Sequence, residues 1–370
     1  MNLDALLKTM VKQDGSDLYI TVGAPPSMTT RSKFVRVGSE NLTNEQITDM
    51  AYKLMREDQR SGFEETLEQN LAYSLPGVGR FRVNIMRQRN SVAMVIRLIK
   101  LEIPSLEDLK VPSVLGELAL LSRGLVLVTG ATGSGKSTTL AAMIDYRNKN
   151  KSGHIITIED PLEFIHSHKK SIITQREIGM DTLSYKNALK SALRQAPDVL
   201  LVGEIRDRET MDAAISFAET GHLVFSTLHS NNANQTLERI LNFFPADEHR
   251  QVYMQLSLNL HGVVCQRLIQ RADGNGKVGI FEIMLDSPRV ADLIHKGDTA
   301  GLKSVIYASK HEGMQTFDQH LYELYKEKII DYDTAMRAAD SANDLKLRIK
   351  MEENGVFETG ELALESLHEE

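Results

Sequence analysis

One stretch narrows the fold more than any other. Gly130-Ala131-Thr132-Gly133-Ser134-Gly135-Lys136-Ser137 matches the pattern G-x-x-x-x-G-K-[ST] without a gap. Upstream lies the apolar run Leu125-Val126-Leu127-Val128, which reads as a buried strand between Gly124 and Gly130. Downstream, Thr138-Thr139-Leu140-Ala141-Ala142-Met143-Ile144 reads as a helix. Strand, glycine-rich loop and helix in that order let backbone N–H groups wrap phosphate oxygens at a helix N-terminus. Thr132, Gly133, Ser134, Gly135, Lys136, Ser137 and Thr138 are therefore the candidate phosphate-binding residues. Lys136 is expected to reach the β- and γ-phosphates of ATP, and the Ser137 hydroxyl to hold Mg²⁺.

The strand–helix alternation continues beyond the loop. Strands are predicted at Gly124–Thr129, His154–Ile158, Val199–Val202 and His222–Thr227. Helices are predicted near Ser137–Arg147, Ser184–Arg194, Arg208–Glu219 and Ala233–Phe243. Such alternation gives an α/β fold with a largely parallel, helix-covered sheet. Past Pro245 the pattern is mostly amphipathic helix to about Met351, interrupted by Asp273-Gly274-Asn275-Gly276 and a strand at Val278–Met284.

At 370 residues the chain exceeds a comfortable single core. Residues 1–100 mix short strands and helices in the manner of a small α+β domain, including a helix opened by Thr43 with Gln46 three residues on. Pro104 and Pro112 mark 101–118 as the interdomain linker, 119–351 as the ATPase domain with C-terminal helices, and 352–370 as an acidic mobile tail.

Other carboxylates fall where a phosphate site needs them. Ile155–Ile158 delivers Glu159, Asp160 and Glu163 beyond a strand's carboxyl end, and Glu163 is the candidate for activating a water against the γ-phosphorus. Val199–Val202 delivers Glu204 in the same way, as the candidate to hold Mg²⁺ or its water. His222 and His229 frame another apolar run and are candidate γ-phosphate sensors. His166 and His168, beside Lys169 and Lys170, read as solvated surface. Arg80, Arg82, Arg87, Arg89 and Arg97 cluster late in the first domain. Arg82 and Arg97 sit on apolar strands and are favoured as guanidinium groups delivered to transition-state charge from a separate domain or a neighbouring subunit.

Net charge of −7 argues against direct nucleic-acid contact. The single cysteine, Cys265, lies in an apolar stretch and reads as a buried small residue, which excludes a disulfide framework or a four-cysteine zinc site within the chain. No run of eighteen apolar residues occurs and the N-terminus lacks a basic signal region, so a cytoplasmic protein is expected, with any membrane association coming through a partner.

Taken together, the boxes at 130–140, Ile158–Glu163, Leu201–Asp207 and Thr220–His229 resemble the Walker A, Asp box, Walker B and His box of the secretion ATPase superfamily. Gly79-Arg80-Phe81-Arg82-Val83-Asn84 resembles the arginine-bearing strand of the type IV pilus retraction motors of the PilT/PilU family. The C-terminal part is similar to the PilU branch. Arg289–Lys296 keeps only the Leu293-Ile294 centre of the helix that PilT proteins need for retraction, while Gly313–Asp318 and Ser341–Arg348 look PilU-like. The resemblance implies a PAS-like N-terminal domain, a RecA-like P-loop ATPase domain and a helical C-terminal part, assembled as a homo-hexamer. Each nucleotide would lie between domains, with Arg82 and Arg97 completing the site. It implies as partners a PilT-like ATPase and an inner-membrane platform protein at the pilus base. A scaffold or adaptor ring subunit, and a secretion (GspE- or PilB-like), conjugation or DNA-uptake ATPase, are the alternative readings.

Overall fold

The computed structural model describes residues 2–30, 33–99 and 102–353. Two compact units emerge. One comprises Met1–Ile103 with Pro161–Ser167 and Gln175–Leu183; the other comprises Pro104–Asp160, His168–Thr174 and the chain from Ser184 onward.

The first unit contains α1 (Leu3–Lys12), β1 (Gly15–Ile20), β2 (Ser27–Thr30), β3 (Lys33–Arg36), α2 (Asn44–Leu54), α3 (Glu57–Thr66), β4 (Glu68–Leu75), β5 (Gly79–Gln88) and β6 (Ser91–Ile99). The strands form one sheet in the order β3-β2-β1-β6-β5-β4, every pair antiparallel. Leu7 and Met10 of α1, Ile47 of α2 and Phe63 of α3 close over Leu18, Phe81, Val83, Ile85 and Ile96. Thr43 opens α2 through a capping box: the Gln46 N–H donates to Thr43 Oγ1 at 3.3 Å, and the Thr43 N–H donates to Gln46 Oε1 at 2.9 Å. Such a cap contributes about 1 kcal/mol. Because Phe81, Val83 and Ile85 alternate into the core, Arg80 and Arg82 fall on the opposite face of β5. Neither β2 nor α3 was expected from the sequence. α3 buries only Phe63, which is too little to print a helical period on a polar segment.

The second unit opens with α4 (Val114–Ala119), followed by β7 (Gly124–Thr129), α5 (Lys136–Asn150), β8 (Gly153–Glu159), β9 (Ser171–Glu177), α6 (Tyr185–Ala192), β10 (Val199–Val202), α7 (Arg208–Glu219), β11 (Leu223–Leu228) and α8 (Ala233–Leu241). Only the first residues of β9 belong to this unit. There follow α9 (His249–Asn259), β12 (Leu260–Gln270), β13 (Lys277–Leu285), α10 (Pro288–Lys296), α11 (Leu302–Ala308), α12 (Phe317–Lys326), α13 (Tyr332–Ala338) and α14 (Ala342–Glu353). The sheet order is β13-β12-β7-β11-β10-β8-β9. From β12 to β8 the strands run parallel, and β13 closes that side antiparallel. β7, β10 and β11 are buried along their whole length, as a sheet covered on both faces requires.

Three expectations need correction. Residues 104–118 are not a free linker: Leu106, Val114, Leu115 and Leu118 belong to the second core, and Arg147 Nη1 donates to the carbonyls of Ala119 and Leu121 just beyond α4. The chain after Pro245 is less helical than expected, because Leu260–Gln270 is a strand. Its Val263, Val264 and Cys265 are fully buried beside β7, and a short apolar run of this kind does not separate strand from helix by period. β9 was likewise unforeseen. The acidic tail expected over 352–370 lies, from residue 354 onward, outside the described residues. Cys265 is buried as expected, and burial pushes its thiol pKa well up, so it is an inert packing residue.

Candidate nucleotide site

Parallel register decides what meets. Leu228 pairs with Thr129, Val202 with Ser226, and Val202 with Ile158, so four strands end along one edge. Off that edge come the glycine-rich loop after β7, His229 after β11, Glu204 after β10, and Glu159 with Asp160 at the end of β8.

The glycine loop has the shape its residues demand. Gly130, Gly133 and Gly135 hold φ of 148°, 77° and 91°. A Cβ at Gly130 would lie 2.3 Å from the Gln266 carbonyl oxygen, whereas one at Gly133 would meet nothing within 4 Å. Gly133 thus faces open space and leaves its backbone approachable. Lys136 Nζ donates to the carbonyls of Gly130 at 2.8 Å and Ala131 at 3.0 Å, holding the loop closed at its root. α5 begins at Lys136, and Ser137 and Thr138 lie half-buried in its first turn. Among the described residues, the Ser134 Oγ within the loop is buried without a hydrogen-bond partner. A helix N-terminus, an open glycine cradle and an unsatisfied loop hydroxyl fit a phosphate chain.

Glu204 is fixed from several sides. The Gly203 N–H donates to the Ile158 carbonyl at 2.8 Å and the Ile205 N–H to the Thr227 carbonyl at 3.0 Å. Thr227 Oγ1 donates to the Gly203 carbonyl at 2.7 Å. The carboxylate so placed lies 3.1 Å from His229 Nε2 and accepts from Arg206 Nε at 2.7 Å. Arg206 also stands 3.8 Å from Asp160, and its pKa is raised chiefly by the hydrogen bond to Glu204. Thr157 Oγ1 donates to Glu159 at 2.7 Å. Burial pushes the Tyr185 phenol far up, with the charges of Asp160, Glu159 and Glu204 adding to it.

His222 does not belong here. It precedes β11 at the amino end, roughly 20 Å along the strand from His229 at the rise of an extended chain. Its Nδ1 lies 3.1 Å from both Thr220 Oγ1 and the Phe217 carbonyl, contacts that finish α7. Two histidines bracketing a strand necessarily occupy its opposite ends.

Glu163, Arg82 and Arg97 lie in the first unit. Glu163 is exposed on the segment 161–167. Arg82 and Arg97 are direct cross-strand partners in β5 and β6, and Arg97 Nε donates to Asp17 Oδ1 at 2.7 Å. His168 is exposed and its Nδ1 accepts from the Ile173 N–H at 3.1 Å, while His166 is half-buried.

Sequence reasoning missed Gln266, Arg206 and Tyr185. Gln266 is buried under the glycine loop and accepts from Thr139 Oγ1 at 2.8 Å, across 127 residues of chain, and nothing local signals it. Arg206 stands inside the box Leu201–Asp207 and was legible there. A cavity of about 260 Å³ borders Gly135, Thr138 and Thr139 and is walled by Leu109, Val111, Leu268 and Phe281. Among the described residues no group of three His, Cys, Asp or Glu side chains has metal-binding geometry, and no helix is long and apolar enough to cross a membrane.

A glycine phosphate loop at the carboxyl edge of a parallel sheet, faced by a fixed carboxylate and a histidine, defines a P-loop nucleoside triphosphatase. Residues 68–329 match the family described as Type II/IV secretion system protein. The chain is 55% identical over 351 residues to the type IV pilus ATPase PilU of Pseudomonas aeruginosa, covering 95% of this chain and 92% of the relative. It is 43% identical over 339 residues to the retraction ATPase PilT of the same organism, covering 92% of this chain and 98% of the relative. A crystal structure of the pilus retraction motor PilT with bound ADP superposes with a TM-score of 0.86 at 42% identity, covering 94% of this chain and 99% of that one. The chain belongs to the Type II/IV secretion system protein family, in its PilT/PilU branch, and is an ATPase of the type IV pilus retraction and twitching kind.

Proposed function

We propose that the chain is an Mg²⁺-dependent, hexameric ATPase that assists a PilT-like motor in withdrawing type IV pili. The observation that carries this reading is Glu204, held 3.1 Å from His229 and 2.7 Å from Arg206 at the same sheet edge as the glycine loop. Backbone N–H groups of 132–137 and Lys136 hold the β- and γ-phosphates, and the small cavity beside Gly135 and Thr138 takes the nucleoside between apolar walls. Ser137 and Glu204 would hold Mg²⁺, which when bound would neutralise charge at the phosphates. His229, tied to Glu204, reports the γ-phosphate. Glu163 orients the attacking water, and Arg82 and Arg97 supply cationic charge from a neighbouring subunit of the ring. Partnership with a PilT-like ATPase and a pilus platform protein at the inner membrane is part of this reading, supported by the likeness to PilU and by the departure of Arg289–Lys296 from the PilT helix. In α10 the part of that helix retained here is the part packing needs, since Ile294 is buried.

The test is phosphate release by the purified chain with ATP, with and without Mg²⁺, alongside Glu204→Gln and sizing of the particle. Mg²⁺-dependent turnover that Glu204→Gln reduces by about a hundredfold, in a particle of six subunits, supports the reading. Turnover indifferent to Mg²⁺ or to Glu204 overturns it.

A further inference from the structure

The loop that carries His229 is fastened to the β12–β13 hairpin at two points. Arg267 Nη2 donates to the Asn231 carbonyl at 3.3 Å, and the Ala233 N–H donates to Glu282 Oε1 at 2.8 Å in the buried interior. Cys265 and Glu282 are register partners, so both fastenings rise from neighbouring positions of one hairpin. The other end of the Arg267 guanidinium faces the C-terminal helices. Nη1 donates to Asp340 Oδ1 at 2.9 Å and to the Ala338 carbonyl at 3.4 Å, and the group lies 3.8 Å above the ring of Phe317, the first residue of α12. Asp340 is tied in turn: its N–H donates to Asp318 Oδ1 at 2.8 Å, and its carboxylate lies 3.8 Å from Lys303 of α11. The preceding residue, Gln266, touches the glycine loop. Two consecutive strand positions thus adjoin the phosphate loop (Gln266) and the His229 loop with the last helices (Arg267).

We propose that Arg267 is a positioning residue through which the C-terminal helices set the place of His229 beside Glu204. The inference rests on the reading of His229 as a γ-phosphate sensor. A planar guanidinium presents several donors in a fixed fork, so it spans the Asn231 and Ala338 carbonyls and the Asp340 carboxylate at once while stacking on Phe317. A lysine carries the charge without that geometry. Movement of the α12–α14 layer against β12 therefore shifts the Asn231 carbonyl, two residues from His229.

The experiment uses the full chain as Arg267→Lys, Arg267→Gln and Asp340→Asn. Backbone amide exchange is followed without nucleotide, and steady-state ATP hydrolysis is measured in parallel. The expected result is exchange about tenfold faster at residues 230–233, with β10 and α5 unchanged. Turnover kcat should fall about fivefold while KM for ATP stays within about twofold, with Arg267→Lys between wild type and Arg267→Gln. Adding Asp340→Asn to Arg267→Gln should cost little more, because both act through one contact. Unchanged exchange at 230–233, or equal acceleration in every element, overturns the proposal, the second by reducing Arg267 to a general structural residue. If the wild type fails to hydrolyse ATP, the functional reading fails while the exchange arm still judges Arg267. If the wild type turns over and Arg267→Gln matches it, only the present inference falls.

Discussion

Arg82 and Arg97 face one another directly across β5 and β6. Like charges at opposed positions of an antiparallel pair work against the sheet. Asp17, itself in register with Arg97 on β1, relieves one of them through its 2.7 Å contact. Buried Glu177 has its pKa raised by burial and drawn back first by the charge of Arg82 and then by that of Arg80. On the proposed function, Arg82 is a member of this pair whose charge is delivered to a neighbouring subunit. Arg82→Gln is expected to leave the melting temperature level or slightly higher while lowering ATP turnover by at least tenfold. Calorimetry and a turnover assay on one preparation check this, and a matched fall in both would make Arg82 a structural residue only.

Lys136→Ala removes the proposed phosphate contact together with the two bonds that close the loop onto the Gly130 and Ala131 carbonyls. Turnover should fall below detection. Thermal stability should change little, because the lost bonds are half exposed and each nets about 1 kcal/mol or less. Substantial residual hydrolysis would count against the site.

Gly203 sits where strand ends crowd. Its backbone φ is ordinary, but a Cβ would lie 3.2 Å from Glu159 Cα, 3.2 Å from Tyr185 Oη and 3.3 Å from the Ile158 carbonyl oxygen. Two of those atoms are backbone and cannot swing aside. Gly203→Ala should cost about 1–3 kcal/mol through overpacking, a fall in melting temperature of roughly 5 °C for a domain of this size. It should also reduce turnover by displacing Glu204. Unaltered melting and turnover would show that the edge yields.

His320 gives a pH dependence with a definite sign. The buried ring accepts the Phe281 N–H on Nδ1 at 3.0 Å, and burial pulls its pKa down to about 4. The folded ring stays neutral while the unfolded chain takes up a proton below about pH 6.5. Its contribution is therefore complete above about 6.5 and is lost as pH falls toward about 4, a change of roughly 3 kcal/mol across that window. The urea midpoint of the wild type should be lower at pH 5 than at pH 7, and the difference should be smaller for His320→Asn. Parallel falls in both proteins would place the acid sensitivity elsewhere.

Some of this was settled locally. The glycine loop, its strand and its helix lie within one short segment, where φ-permissive residues, a lysine and a helix start fix the shape without help from distant chain. The same holds for the Thr43–Gln46 cap and, β9 apart, for the strand–helix alternation from 124 to 241, where the period of apolar residues suffices. What the tertiary structure alone decided was which distant residues share the edge. Strand order and parallel register set His229 beside Glu204 and left His222 at the far end of the same strand. They also brought Gln266 and Arg267 of an unforeseen strand under the loops, and laid Arg82 opposite Arg97. The reason is physical: a phosphate loop is built from neighbouring backbone dihedrals, whereas these contacts arise from long-range strand pairing that buried side chains fix only once the sheet has formed.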